Sequence, residues 1–236
     1  MTDLVNEWSW LILAVVGVAG ALLSYVVNAH LQRGLERNKI QYETKNRAFK
    51  DITEAGRGLM NLIEAFRLTV FRLNNTRMEP VDTIITGAAI AQGFEKSMGS
   101  DYWFNIISRL ESSFGPKLMD QRRDQAYKEE VAGALNDLHM LYTLLFSHYY
   151  ERVATAFENA FIVMEEYDEF SNSVSEFTTY AGQLFESQKE ALRIFRKNLQ
   201  ENMESVAQNE IKPDRKLLTL WNDVLDRMNE DLYQTL

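Results

Sequence analysis

Histidine is the side chain best suited to acid–base or metal chemistry at neutral pH, and this chain has three of them, His30, His139 and His148. His139 and His148 are nine residues apart, so a helix would place them on opposite faces, where they could not share a metal ion. The residues three positions before them are Asn136 and Leu145, so the Glu-x-x-His pairs of di-iron helical bundles are missing too. We therefore expect no histidine metal site.

Sulfur and carboxylate chemistry are equally poorly supported. The chain contains no cysteine, which excludes a disulfide, a thiolate nucleophile and a cysteine-ligated zinc site. The acidic group Glu165, Glu166, Asp168 and Glu169 offers oxygen ligands that suit Mg²⁺ or Ca²⁺, but it lacks the alternating spacing and the glycine of a calcium loop. A solvated helix end is the better interpretation. Serine-elbow, phosphate-loop and dinucleotide-binding glycine motifs are also missing, so we predict no catalytic residue, no cofactor, no metal and no enzymatic activity.

The strongest single feature is a charge-free apolar stretch near the N-terminus, residues 8–32. Its most apolar part, Trp10 to Val27, would rise about 27 Å as a helix, close to the thickness of a bilayer core of roughly 30 Å. Trp8, Trp10 and Tyr25 stand near its ends, where amphipathic rings favour the membrane interface. The sequence therefore predicts one transmembrane helix over 8–32, preceded by a short extracytoplasmic tail over 1–7.

A buried core helix and a cleaved signal peptide both fit this stretch less well than a membrane anchor. A core helix rarely avoids charged residues for so long. A signal peptide would begin with a positively charged region, whereas Asp3 and Glu7 are the only charged side chains before Trp8. A retained membrane anchor is the preferred hypothesis.

Charged residues on the C-terminal side of the stretch predict its orientation. Between residues 33 and 50 stand six basic residues against two acidic ones, while the N-terminal tail has no Lys or Arg. By the positive-inside rule the N-terminus faces outward, and the rest of the chain faces the cytoplasm from an inner or plasma membrane. The basic residues either set this topology or also bind anionic lipid headgroups. They are Arg33, Arg37, Lys39, Lys45, Arg47 and Lys50.

Small residues in the apolar stretch predict that the protein self-associates. In lipid, helices associate through close backbone approach, which small residues four positions apart allow. Such pairs are Gly17 with Ala21 and Gly20 with Ser24. We expect these four residues to form a packing face in a symmetric homo-oligomer.

Residues 33–73 are predicted to form a stalk helix that continues directly from the membrane helix. Apolar side chains recur there at heptad spacing, as in a coiled coil, although Asn38, Lys45 and Gly56 occupy positions where an apolar side chain is expected. The partner of this stripe is either another protomer or the later helices of the same chain. The predicted stalk interface consists of Phe49, Ile52, Leu59, Ile63, Phe66, Val70 and Leu73.

The rest of the chain, 81–236, reads as a cytoplasmic helical bundle, which makes the fold class all-α. Helix-forming residues dominate, and turn residues and prolines separate the apolar stripes. We predict helices from about Asp82 to Met98, from Tyr102 to Phe114, from about Lys117 to Glu169 with a bend or interruption near Gly133 or Tyr149, from near Ser171 or Ser173 onward, and after Pro213.

The overall charge of the chain limits which partners it can bind. A net charge of −9 and a pI near 5.0 argue against nucleic acid as the main partner, because phosphate binding needs a concentrated cationic face.

Taken together, these features of the sequence predict a non-catalytic, membrane-tethered, oligomeric helical scaffold or interaction protein, with a cytoplasmic protein as a possible partner. The alternative is an oligomeric effector that perturbs or perforates the membrane, such as a bacterial antiviral defence component.

Overall fold

The computed structural model describes residues 2–75, 80–95, 125–165, 167–201 and 215–234, and the side chains of 24–74, 80, 83–94, 128–165, 167–201 and 215–234 within them. This part of the chain forms helices and turns without any strand, which confirms the predicted all-α class. The described residues contain five helices, α1 (Thr2–Asn75), α2 (Pro80–Glu95), α3 (Gln125–Phe161), α4 (Tyr167–Gln200) and α5 (Arg215–Tyr233).

Helix α1 is uninterrupted over 74 residues, which corresponds to a length of about 110 Å. It contains both the apolar stretch 8–32 and the predicted stalk 33–73. No proline occurs before Pro80, and the two glycines of its second half, Gly56 and Gly58, are tolerated because they face other helices. The N-terminal half of α1 extends away from the bundle, and the C-terminal half is one of the bundle's own helices.

The order of contacts along α1 defines the topology of the bundle. Helix α3 is antiparallel to α1, because Arg152 pairs with Glu54 while Tyr142, ten residues earlier, stacks on Phe66. We call the end at which α1 enters the bundle the near end. Helix α4 runs away from this end, and its Phe185 lies at the level of Phe66. Helix α5 returns to that end alongside α1 and α4, and α2 covers the far part of α1 and α3.

Aromatic rings fill the centre of the bundle. Tyr142 stacks on Phe66 with ring centroids 4.5 Å apart, and Phe146 stacks on Phe185 at 4.0 Å. The buried Tyr142 hydroxyl donates a hydrogen bond to the carbonyl oxygen of Gly87 at 3.2 Å, which ties α3 to α2. Burial raises the pKa of Tyr142 to about 12, so the hydroxyl remains protonated at neutral pH.

Several predicted helix boundaries are wrong. Helix α3 has no interruption at Gly133 or Tyr149 and ends at Phe161, where the N–H groups of the following turn bond back to the Ala160 carbonyl. Helix α4 begins at Tyr167, earlier than predicted. The predicted helix over 102–114 lies outside the described residues.

Candidate functional site

The segment of α1 that extends beyond the bundle is the first candidate. Its described side chains from residue 24 to 41 are exposed except for the half-buried Ala29, and the first buried side chain is that of Lys45. The exposed side chains include large apolar ones, with Tyr25 73% and Leu35 69% accessible. A row of this kind is costly in water and normally marks a binding surface. We call residues 24–41 the protruding segment; its exposed apolar residues are Tyr25, Val26, Val27, Leu31, Leu35 and Ile40.

The six predicted basic residues fall into two environments. Lys39 lies in the protruding segment and makes only a long, exposed ion pair of 4.0 Å with Glu43. Lys45 is 1% accessible and lies inside the bundle. It is therefore separated from the rest of the basic group, and its ammonium group does not face a surface on which headgroups could bind. The other members of the group, Arg33, Arg37, Arg47 and Lys50, are exposed.

Lys45 is the centre of an ion-pair cluster that joins three parts of the bundle. Its Nζ lies 2.9 Å from Oδ2 of Asp231 on α5 and donates a hydrogen bond to Oε1 of Glu165, in the turn between α3 and α4, at 3.0 Å. The backbone N–H of Glu165 donates to Oδ1 of Asp231 at 3.2 Å, and Gln41 Nε2 donates to Glu165 Oε1 at 3.0 Å. The cluster thus fixes the start of the bundle to its last helix.

The protonation state of Lys45 follows from this geometry. Burial by itself lowers the pKa of Lys45, but the hydrogen bonds and charges of Asp231 and Glu165 outweigh it and raise that pKa above 10.5. The ammonium group therefore stays charged at neutral pH. Asp231 is 3% accessible, so the pair is a buried one, whose two halves depend on each other far more than surface ions do.

A second contact places α5 on the same face of α1. The indole of Trp221 lies directly over Gly56, where a Cβ would come within 2.0 Å of the ring. Trp221 also packs on Phe177 of α4, with ring centroids 5.1 Å apart. Lys45 and Gly56, two of the imperfect positions in the apolar stripe, are therefore where α5 docks. The sequence pattern did not identify Asp231 as the partner of Lys45 or Trp221 as the partner of Gly56. The signal available in the sequence was the presence of a lysine and a glycine in an apolar stripe.

The predicted stalk interface is occupied by the chain's own helices. Phe66 packs between Tyr142 and Phe185, and Leu59 is completely buried. The chain's own later helices, the alternative to another protomer, therefore cover this stripe. Six of its residues, Ile52, Leu59, Ile63, Phe66, Val70 and Leu73, are buried in the core, and Phe49 is half-buried against it.

The predicted packing face in the membrane lies mostly beyond the described side chains. Gly17, Gly20 and Ala21 belong to α1, but only the backbone is described there, and Ser24 is exposed. Within the described part of the chain, no helix is long and apolar enough to cross a membrane. Residues 8–23 of the predicted span fall in the segment whose side chains are not described.

The other candidates for chemistry remain dispersed. Among the described residues, no three His, Asp or Glu side chains are grouped so as to hold a metal ion. His139 lies in a groove between α3 and α4, while His148 borders a different groove formed with α1. Of the acidic group, Glu165 binds Lys45 and Glu169 binds Arg227 of α5, and Glu166 lies outside the described residues.

Comparisons with known proteins identify no family for this chain, so its class is defined by the geometry alone. Models of protein families, curated proteins and solved structures were all compared with this chain, and none of them matches it. The described residues define an all-helical bundle in which one helix is about twice as long as any other and extends from the near end.

Proposed function

We propose that this protein is a non-catalytic, membrane-tethered scaffold in which a single helix is both the anchor and a core helix of a cytoplasmic bundle. The observation that carries this proposal is the continuity of α1 from Thr2 to Asn75, with exposed apolar side chains in its protruding segment and a buried second half. The charge-free stretch 8–32 supplies the sequence of a membrane span at the free end of that helix.

Rigid coupling is the property that distinguishes this arrangement from a flexible anchor. The ion pair between Lys45 and Asp231 and the packing of Trp221 on Gly56 hold α1 against α5 immediately inside the bundle. A tilt or rotation of the membrane helix would therefore be transmitted to the bundle, and a partner bound to the bundle would influence the helix in return.

Topology is the first test. We expect the N-terminus outside and the C-terminus in the cytoplasm, because six basic residues follow the apolar stretch and none precedes it. A reporter active only in the cytoplasm, fused after Leu236, should be active in cells. Activity of a reporter that works only outside the cytoplasm, together with silence of the cytoplasmic one, would contradict the orientation. Recovery of the intact chain in the soluble fraction would contradict the anchor itself.

Self-association is the second test. Because the stalk stripe is covered within the chain, we expect assembly to use the membrane helix and the protruding segment instead. Replacing Gly17 and Gly20 together by Leu should weaken the oligomer without preventing insertion. The matched control is Gly133→Leu, at an exposed helical position outside the protruding segment with open space around it. A monomer for the unmodified protein by native mass spectrometry in mild detergent would refute self-association.

The membrane-perturbing effector is kept as a second candidate because α1 is continuous, which a passive tether does not require. Inserting four Gly and Ser residues after Gly34 would break the helix where it contacts no described residue. A scaffold should still localise and bind its partner, whereas an effector driven through the helix should lose membrane permeabilisation. Retained permeabilisation after the insertion would count against mechanical coupling.

A further inference from the structure

A groove between α3 and α4 is lined by six ionisable side chains that no part of the proposed function uses. Its volume is about 370 Å³, and it lies beyond the stacked pair Phe66 and Tyr142, toward the far end of the bundle. Ligand-binding pockets start at roughly this size, so a small molecule would fit. The groove is lined by Leu135, Asn136 and His139 of α3 and by Glu186, Lys189, Glu190, Leu192, Arg193 and Arg196 of α4.

The charges in the groove are unequally paired. Lys189 donates to Glu186 at 2.7 Å, and Arg193 makes two hydrogen bonds of 2.7 Å to Glu190. Arg196 instead donates to the amide oxygen of Asn136 at 3.0 Å, and no carboxylate is its partner among the described residues. Three cations therefore face two carboxylates, which leaves one excess positive charge on the wall of the groove.

His139 on the opposite wall responds to this positive field. Its pKa is lowered first by burial and then by the charges of Lys189 and Arg196, which Glu186 only partly offsets. The imidazole is therefore neutral at pH 7, and an anion that entered the groove would favour its protonation. Protonated His139 would then be an additional hydrogen-bond donor to the anion, across the groove from Arg196 and Lys189.

We propose that this groove binds a small molecule that carries a phosphate group. A phosphate has nearly two negative charges and three acceptor oxygens at pH 7, which match the excess charge of Arg196 and a proton taken up by His139. Arg196 is suited to two-point contacts with phosphate, and Lys189 and the Asn136 amide supply further donors on the same groove. A carboxylate has only one charge and would leave the protonated imidazole uncompensated.

The position of the groove favours a soluble ligand over a lipid headgroup. Along α1, the level of Phe66 is about 50 Å beyond the end of the predicted span at Gln32. A headgroup of the membrane that holds α1 cannot reach that level. The choice of a soluble ligand over a headgroup rests on the membrane function proposed above, whereas the groove and its charges do not depend on that function.

Calorimetric titration of the full chain in mild detergent tests the site, with inorganic phosphate and adenosine monophosphate as probes and acetate as the carboxylate control. We expect both phosphate compounds to bind and acetate not to bind measurably. Arg196→Gln and Lys189→Gln should each weaken phosphate binding on the order of tenfold, since each removes a charge-assisted hydrogen bond. The matched control is Lys197→Gln on the same helix, whose side chain pairs with Glu201 outside the groove.

Proton coupling gives a second readout. Sulfate resembles phosphate but keeps its charge between pH 5 and 8, so its affinity should rise as the pH falls through the pKa of His139. His139→Gln should remove that pH dependence. In nuclear magnetic resonance titrations, sulfate should raise the pKa of His139, and it should leave the chemical shifts of the His148 imidazole, which lies in a different groove, unchanged.

Three results would overturn the proposal. One is no binding of phosphate or adenosine monophosphate at concentrations up to about 10 mM. Another is equal loss of affinity in Lys197→Gln and Arg196→Gln, which would indicate a nonspecific charge effect on α4. The third is binding that leaves the pKa of His139 unchanged, which would place the anion elsewhere.

Discussion

Replacing Lys45 by methionine should destabilise the bundle more than any change at an exposed charge. Lys45 and Asp231 are 1% and 3% accessible, and their charged atoms are 2.9 Å apart. Methionine preserves most of the volume of the side chain but leaves the Asp231 carboxylate buried without its counter-charge. Breaking a buried pair from one side typically costs about 3–5 kcal/mol. Because whole domains are stable by roughly 5–15 kcal/mol, this loss would be a large share of the total.

Glu165 provides the internal comparison. Its side chain is 58% accessible, so its ion pair with Lys45 at 3.0 Å is largely screened by water. Glu165→Gln should therefore cost no more than about 1 kcal/mol. The double replacement Lys45→Met with Asp231→Leu removes both buried charges together, and it should recover most of the stability lost in Lys45→Met. Urea unfolding of the full chain in mild detergent, followed by far-ultraviolet circular dichroism, measures all four proteins.

A cost below about 1 kcal/mol for Lys45→Met would refute the reasoning, because it would mean that the buried charge of Asp231 does not depend on Lys45. The same holds if the double replacement is no more stable than the single one. A normal unfolding curve combined with weaker binding to anionic vesicles would instead return Lys45 to the group of headgroup-binding residues.

Three further consequences of the structure can be checked in the same unfolding assay. Gly56→Ala should destabilise the bundle by about 1–3 kcal/mol, because the new methyl group collides with Trp221. Gly133→Ala, at a position with open space around it, should instead stabilise the bundle by up to about 1 kcal/mol. Equal effects of the two substitutions would contradict the docking of α5. Tyr142→Phe should cost about 1 kcal/mol through its lost hydrogen bond, and an unchanged midpoint would argue against that bond. Stability should fall above pH 10, because folding raises the pKa of Tyr142 to about 12 and that of Lys45 above 10.5. Each group therefore contributes its full stabilisation at pH values below its unfolded pKa, and this contribution is lost as the pH rises through its folded pKa. That alkaline decline should be shallower in Tyr142→Phe, and a decline of equal slope would exclude the tyrosine as a contributor.

Local pattern was sufficient for the all-α fold class of this protein. The helical spacing of apolar residues and the scarcity of proline predicted an all-α chain, and the apolar stripe of 33–73 identified the residues that the core of α1 uses. Such patterns can be read from a sequence because a helix relates residues only three or four positions apart. Helix ends were less accurate, since the first turn of α4 and the end of α3 depend on packing at the near end of the bundle.

Only the tertiary structure decided which surface covers that stripe and what its irregular positions do. Lys45 and Gly56 looked like defects in a coiled-coil seam, yet they bind Asp231 and Trp221, which are more than 160 residues later in the chain. The spacing of residues within one helix contains no information about such distant partners. A buried charge and a missing side chain became docking points for α5 because the fold brought a carboxylate and an indole to them, and this required the whole bundle to be assembled.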